Sequence, residues 1–309
     1  MVRVWIILAV AVFCVLTAQA PDPRVRAALD ALSGHIHQLD GNADISYYCP
    51  MDPDVRSVTP GTCARCGMTL VEGAPDIIEY PLDVKIEPPI LRPNELTRLT
   101  FGLIDPRTLQ PVRRFEVVHE KLYHLFLVSE DLSFFLHTHP ERESDQDFHL
   151  DVRFPKPGLY RILSDFYPSS GSPQLITSTV IVPGAAAPAP PALQPDLAPK
   201  QTENAHVELS MTPAHPIAGS RTSLFFKLTL ADGLETYLGA WGHMLAASAD
   251  LIEMIHGHPA STADVDGGAA KRLEFSMAFP RAGMYRVWVQ FQRLGTVNTV
   301  AFDVPVQDR

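Results

Sequence analysis

The chain has 309 residues, 46% of them hydrophobic, with 28 prolines, 25 lysines and arginines, and a formal net charge of −10. That acidic balance speaks against nucleic acid and anionic membrane as partners and is mildly favourable to metal cations. The length admits two domains of ordinary size plus a small module, and the high proline and low basic content suit a loop-rich β protein.

Residues 1–20 begin with Arg3, run through apolar residues and end Thr17-Ala18-Gln19-Ala20, the layout of a signal peptide with an A-x-A cleavage site. The apolar run is short for a membrane span, and Phe13 is too bulky to precede a lipidated Cys14, so Cys14 is expected to leave with the signal. The remainder is expected in the periplasm or secreted, with no membrane contact after cleavage. In residues 21–45, Val25, Ala28, Leu29, Leu32 and Ile36 recur at helical spacing and predict one short amphipathic helix or linker. His35 and His37 near its end are read as solvated.

Residues 46–74 contain YYCPMDPDVRSVTPGTCARCGM, a metal-binding signature. Two thiolates three residues apart, Cys63 and Cys66, can reach one ion across a tight turn, to which Gly67 lends backbone freedom. Cys49 is the third candidate ligand, brought back by the turn-rich Asp52-Pro53 and Thr59-Pro60-Gly61. Met51 and Met68, each two residues after a cysteine, add thioethers to the candidate set. Thioether beside thiolate suits Cu(I) or similar soft ions, whereas zinc favours a fourth Cys or His. The competing reading is a disulfide, although three cysteines cannot all pair.

This segment resembles the short heavy-metal-binding domain of copper-transporting ATPases and of periplasmic copper and silver efflux adaptors. The resemblance rests on Cys49, Pro50, Met51, Pro53, Pro60, Gly61, Cys63, Cys66, Gly67 and Met68. Many members carry His where this chain has Asp52, which leaves the fourth ligand open. The resemblance implies a metal ion as cargo, copper first, with zinc or silver as alternatives.

Further along, HLFLVSEDLSFFLHTHP (124–140) and HMLAASADLIEMIHGHP (243–259) repeat at an offset of 119. FPKPGLYR (154–161) and FPRAGMYR (279–286) repeat at an offset of 125, which places a six-residue insertion around 261–268 of the second copy. Short branched and aromatic runs at 122–128, 158–166, 175–182, 223–230, 283–291 and 296–304 read as strands. The fold class is mainly β: two tandem immunoglobulin-like β-sandwich domains, at 78–183 and 202–306, joined by an Ala/Pro linker at 184–201. Gly158-Leu159-Tyr160 and Gly283-Met284-Tyr285 fit the tyrosine corner of such sandwiches, with a cupredoxin-like sandwich as the alternative.

On a strand, His137 and His139, like His256 and His258, share one face and can reach one ion. His124 and His243, upstream of a turn, complete three imidazoles per domain, a set suited to Cu(II) or Zn. His119 in the first copy is replaced by Leu238 in the second. The competing reading makes these histidines fold residues that cap a corner before Pro140 and Pro259. Asp131 and Asp250 are read as turn caps, and Phe135, Met244 and Met254 as core.

The second copy, with the first as a sibling, resembles secreted β-sandwich domains of bacterial heavy-metal-handling proteins. Together these features predict an exported, non-enzymatic heavy-metal-binding protein for sequestration, delivery or resistance, with efflux or metallochaperone proteins as protein partners. The alternatives are a metal-dependent oxidase or hydrolase on the three-histidine sites, or a structural adaptor for an efflux system. No serine-nucleophile elbow, phosphate loop or paired-carboxylate signature supports catalysis.

Overall fold

Branched and aromatic runs closed by Pro, Gly, Asp and Ser favour extended backbone, and strands dominate the computed structural model. It describes residues 47–49, 55–63, 69–73, 78–142, 147–169, 171–185, 192–229 and 232–309. The expected signal peptide and helix, with His35 and His37, lie outside the described residues. The six runs read as strands are observed at Tyr123–Ser129, Gly158–Phe166, Gln174–Val182, Arg221–Thr229, Gly283–Arg293 and Thr296–Val306.

The chain is mainly β, with two immunoglobulin-like sandwiches. In the first, one sheet runs Gln174–Val182, Gly158–Phe166, Tyr123–Ser129, Phe135–Thr138, all antiparallel. Its facing sheet centres Leu96–Asp105 between Leu82–Glu87 and Phe148–Arg153. The second sandwich repeats the first order as Thr296–Val306, Gly283–Arg293, His243–Ser248, Met254–Gly257. Its facing sheet includes His206–Thr212, Arg221–Thr229 and Ala270–Ala278, and the insertion supplies an extra edge strand, Ser261–Val265. These are the G-F-C-C′ and A-B-E orders of the immunoglobulin fold. The tyrosine corners are present: Tyr160 Oη donates to Lys156 O at 2.9 Å and Tyr285 Oη to Arg281 O at 3.1 Å. Gly158 and Gly283, at φ 131° and 134°, occupy backbone that side chains disfavour.

Each sandwich has its own core, but a third cluster joins them. Phe126, Val128, Leu132 and Leu163 of the first pack with Leu245, Ala247, Leu251 and Trp288 of the second. The cause lies in Tyr123–Ser129, which is buried at all seven positions. Alternation sends Tyr123, Leu125 and Leu127 into the sandwich core and Phe126 and Val128 into the shared one. His243–Ser248 does the same, with Met244 and Ala246 inward and Leu245 and Ala247 shared. At roughly 1.5–3 kcal/mol per fully buried large apolar side chain, the shared core helps to fasten the two sandwiches together.

The contact is pseudo-two-fold. Arg286 Nη1 donates to Leu132 O at 3.1 Å, and the equivalent Arg161 Nε donates to Leu251 O at 3.3 Å. Phe135 stacks on Trp288 with ring centroids 4.8 Å apart. The end of the expected Ala/Pro spacer is docked rather than free: Asp196 exchanges backbone hydrogen bonds with Asp303 at 3.0 Å, and Leu193 packs on the shared core.

Candidate metal centres

In the cysteine module, Tyr47–Tyr48 is the middle strand between Arg56–Ser57 and Val71–Glu72. Cys49 N donates to Val55 O at 2.9 Å, turning the chain back directly after the middle strand. A bridge between Thr62 and Thr69 closes the second loop beside Cys63. Cys49 and Cys63 are thereby buried in one small cluster with Leu70. Cys66, Met51 and Met68 lie outside the described residues. A cluster this small buries little apolar surface, and a bound ion is the usual means by which so short a module gains stability. Two thiols gathered into it fit a thiophilic cation. Burial, and then the negative charge of Tyr48, Glu116 and Cys49, push Tyr167 up to about 12.

The histidines behave differently from the expectation of one triad per domain. In register, His124 stands opposite Asp165 and His243 opposite Gln290, while His137 faces Phe126 and His256 faces Leu245. The histidine face is thus the outer face of the sheet, the one that forms the shared core. Both sets therefore meet at one end of the contact between sandwiches. Ring centroids are 5.1 Å apart for His137 and His243, 6.1 Å for His124 and His243, and 4.8 Å for His124 and His139. His119 joins them, its ring 3.7 Å from that of His258. Two groups hold ligand nitrogens within 4.8 Å of one another: His124, His137 and His243, and His243, His256 and His258. His139 adjoins the first group, its Nε2 hydrogen-bonded to His124 Nδ1 at 3.2 Å.

Neighbouring acceptors fix the tautomers. Carbonyl oxygens only accept, so the proton sits on His124 Nε2, 3.0 Å from Val118 O, and on His243 Nε2, 2.8 Å from Tyr237 O. Gln290 Nε2 donates to Thr299 Oγ1 at 2.8 Å, which aims its Oε1 at His137 Nδ1, also at 2.8 Å. His256 Nδ1 donates to Asp165 Oδ2 at 2.6 Å. The opposite ring nitrogens therefore carry lone pairs. His137 Nε2, His243 Nδ1 and His256 Nε2 are buried without a hydrogen-bond partner, as are His119 Nε2 and His258 Nε2. Leaving such atoms unsatisfied costs about 1–3 kcal/mol each. A carboxylate or carbonyl behind each imidazole is the arrangement that orients metal-ligating histidines.

Burial also keeps the rings neutral. It lowers His124 to about 4, aided by the charge of His256, and His256 and His139 to about 3. His243 falls to about 2, and His137 and His258 fall well below the ordinary imidazole value for the same reason. Asp165 is raised by burial to about 6, with His124 and His119 opposing the rise.

Asp165 and Gln290 escape a search for ligand spacings because neither touches a motif in sequence. The signal that finds them is a polar residue at equivalent positions, 125 apart, in the two copies of the strand. Asp131 and Asp250 stay at their turns, accepting from Ser129 Oγ and Ser248 Oγ, both at 2.6 Å. Met244 lies in the second sandwich's core, and Phe135 and Met254 pack on the shared one.

The family described as heavy metal binding domain matches residues 46–72, which supports a metal ion as the module's ligand. No curated protein matches the chain. Among solved structures it is similar to the FdeC adhesin of Escherichia coli, at 11% identity over 78% of this chain and 69% of that one, with a TM-score of 0.24. It is also similar to a two-domain fibronectin type III segment of chicken tenascin, at 10% identity over 74% and 99%, with a TM-score of 0.23. Over residues 79–184 and 200–308 the chain matches the family described as a domain of unknown function (DUF8832), and it belongs to that family.

Proposed function

We propose that this is an exported, non-enzymatic metal-binding protein that captures a soft ion, copper before silver or zinc, in its cysteine module for sequestration, delivery or resistance. The observation that carries the reading is the heavy metal binding domain at 46–72 with Cys49 and Cys63 gathered into one buried cluster. Thiolates with nearby thioethers select soft cations over the hard ones that carboxylates hold. Export is supported by the charged, apolar and A-x-A layout of residues 1–20, and thiols in an oxidising compartment are best protected when metallated. The docking partner for delivery is an efflux or metallochaperone protein.

The test is Cu(I) titration of the mature protein against a competing chelator. Changing Cys49, Cys63 and Cys66 together to Ser is expected to weaken Cu(I) binding on the order of a thousandfold or more, since thiolates supply most of such a site's free energy. Tight Cu(I) binding that survives the triple change would overturn the reading.

A further inference from the structure

We infer that the two sandwiches together build one additional metal centre, a composite histidine site for a single borderline divalent cation such as Cu(II) or Zn(II), which neither sandwich completes alone. The inference stands apart from the cysteine module, since it uses none of its residues.

Three observations carry it. First, the group His124, His137 and His243 mixes ligands from both halves of the chain. Second, the support is exchanged across the contact: His137 of the first half hydrogen-bonds Gln290 of the second, and His256 of the second hydrogen-bonds Asp165 of the first. Each imidazole is thus aimed by the opposite sandwich, and separating the two would remove ligands and supports together. Third, lone-pair nitrogens of His137, His243 and His256 are buried, unpartnered and directed into the same region. A purely structural histidine corner would satisfy these acceptor nitrogens with N–H or O–H donors, much as carbonyl and carboxylate oxygens already satisfy the N–H of each ring.

The number of ions follows from His243. Both groups need it, yet its Nε2 proton is held by Tyr237 O, so only Nδ1 offers a lone pair. One lone pair binds one cation. The two groups therefore merge around His243 into one site for a single ion, drawing His137 from one sandwich and His256 from the other. Neutral imidazoles in this number suit Cu(II) or Zn(II) rather than Ca(II) or Mg(II), which prefer oxygen donors.

The experiment uses the full mature chain with Cys49, Cys63 and Cys66 changed to Ser, so that thiols neither bind nor reduce the probe. Titration with Cu(II), read by elemental analysis and electron paramagnetic resonance, is expected to give one copper per chain in an all-nitrogen environment. His137→Ala and His256→Ala, one from each sandwich, should each weaken that same copper at least about tenfold. No copper bound, two coppers per chain, or an affinity indifferent to His137→Ala would overturn the inference. Should an alanine variant fail to fold, His137→Gln preserves polarity at the position, and X-ray absorption of the unsubstituted histidine cluster independently counts its imidazoles. Fewer than three imidazoles in that spectrum would also overturn it. Failure of the cysteine reading would leave these results unchanged, because the cysteines are absent from the experiment.

Discussion

The cysteine module draws its candidate ligands from one short stretch, Cys49 to Met68, whereas the histidine cluster joins His124 to His256 across two sandwiches. The module's donors are soft and set by turns a few residues long. The cluster's donors are borderline, and they are set by strand register and by the packing of one sheet on another. Loss of tertiary packing should therefore silence the cluster and spare the module. The difference teaches that local chain geometry can present a soft ion with its ligands, while tautomer control of imidazoles needs partners brought from far away.

The largest expected effect that separates the two regions comes from Trp288→Ala. Trp288 is 5% exposed and fills the shared core against Phe135, so its truncation should cost about 3–5 kcal/mol. Thermal melts should show the destabilisation, and Cu(II) uptake by the cluster should fall while Cu(I) uptake by the module persists. Equal loss at both would mean that the module depends on the sandwich contact as well.

A smaller effect is expected at Asp165. Asp165→Asn keeps the shape but removes the charge that backs His256, and it should weaken the histidine-bound ion by about 10–100-fold with no change in Cu(I) binding. Gln290→Glu offers the converse, placing a carboxylate behind His137, and should raise affinity. Opposite signs for the two variants in competitive titration would show that both supports act on the one ion. Identical behaviour would reduce both to scaffolding.

The smallest effect concerns acid. Partial burial pushes Asp131 up, but hydrogen bonds from Lys156, Ser129 and Ser133 more than offset this and hold its carboxyl below the usual range. Asp250 is likewise held low against its burial by Ser248, Ile252 and Arg281. A depressed carboxylate stabilises the fold above its unfolded-state value of about 3.9, and the contribution is lost as pH falls through the folded-state value. Denaturant melts should therefore show a loss below about pH 4 from these turns, added to an earlier loss that begins below about pH 6.5, where the unfolded chain's histidines take up protons that the buried imidazoles do not, and Asp131→Asn should flatten only the lower part. The cysteine module, which has no such turn among the described residues, should contribute no matching change.

Much of this molecule is legible in the chain itself. The strands at Gly158–Phe166 and Thr296–Val306 follow from branched and aromatic residues between turn formers, and the insertion in the second copy announces the added strand Ser261–Val265. The tyrosine corners follow from Gly-x-Tyr, because glycine alone relaxes the backbone that precedes Tyr160 and Tyr285. The cysteine spacing identifies the heavy-metal module for the same reason: its information is local.

Where the histidines go is another matter. Alternation along a strand says that His124, Phe126 and Val128 share a face, but it does not say what covers that face. The run from Tyr123 to Ser129 contains the clue, since a strand buried on both sides needs a second neighbour. Only the tertiary structure supplies that neighbour as the other sandwich, and with it the exchange of Asp165 and Gln290 between the two halves. The sequence by itself determined which residues carry ligand chemistry and which strand face they occupy, because those depend on residue type and a two-residue period. The tertiary structure decided that two triads become one cluster, because a contact between sheets joins residues whose separation along the chain leaves no periodic trace.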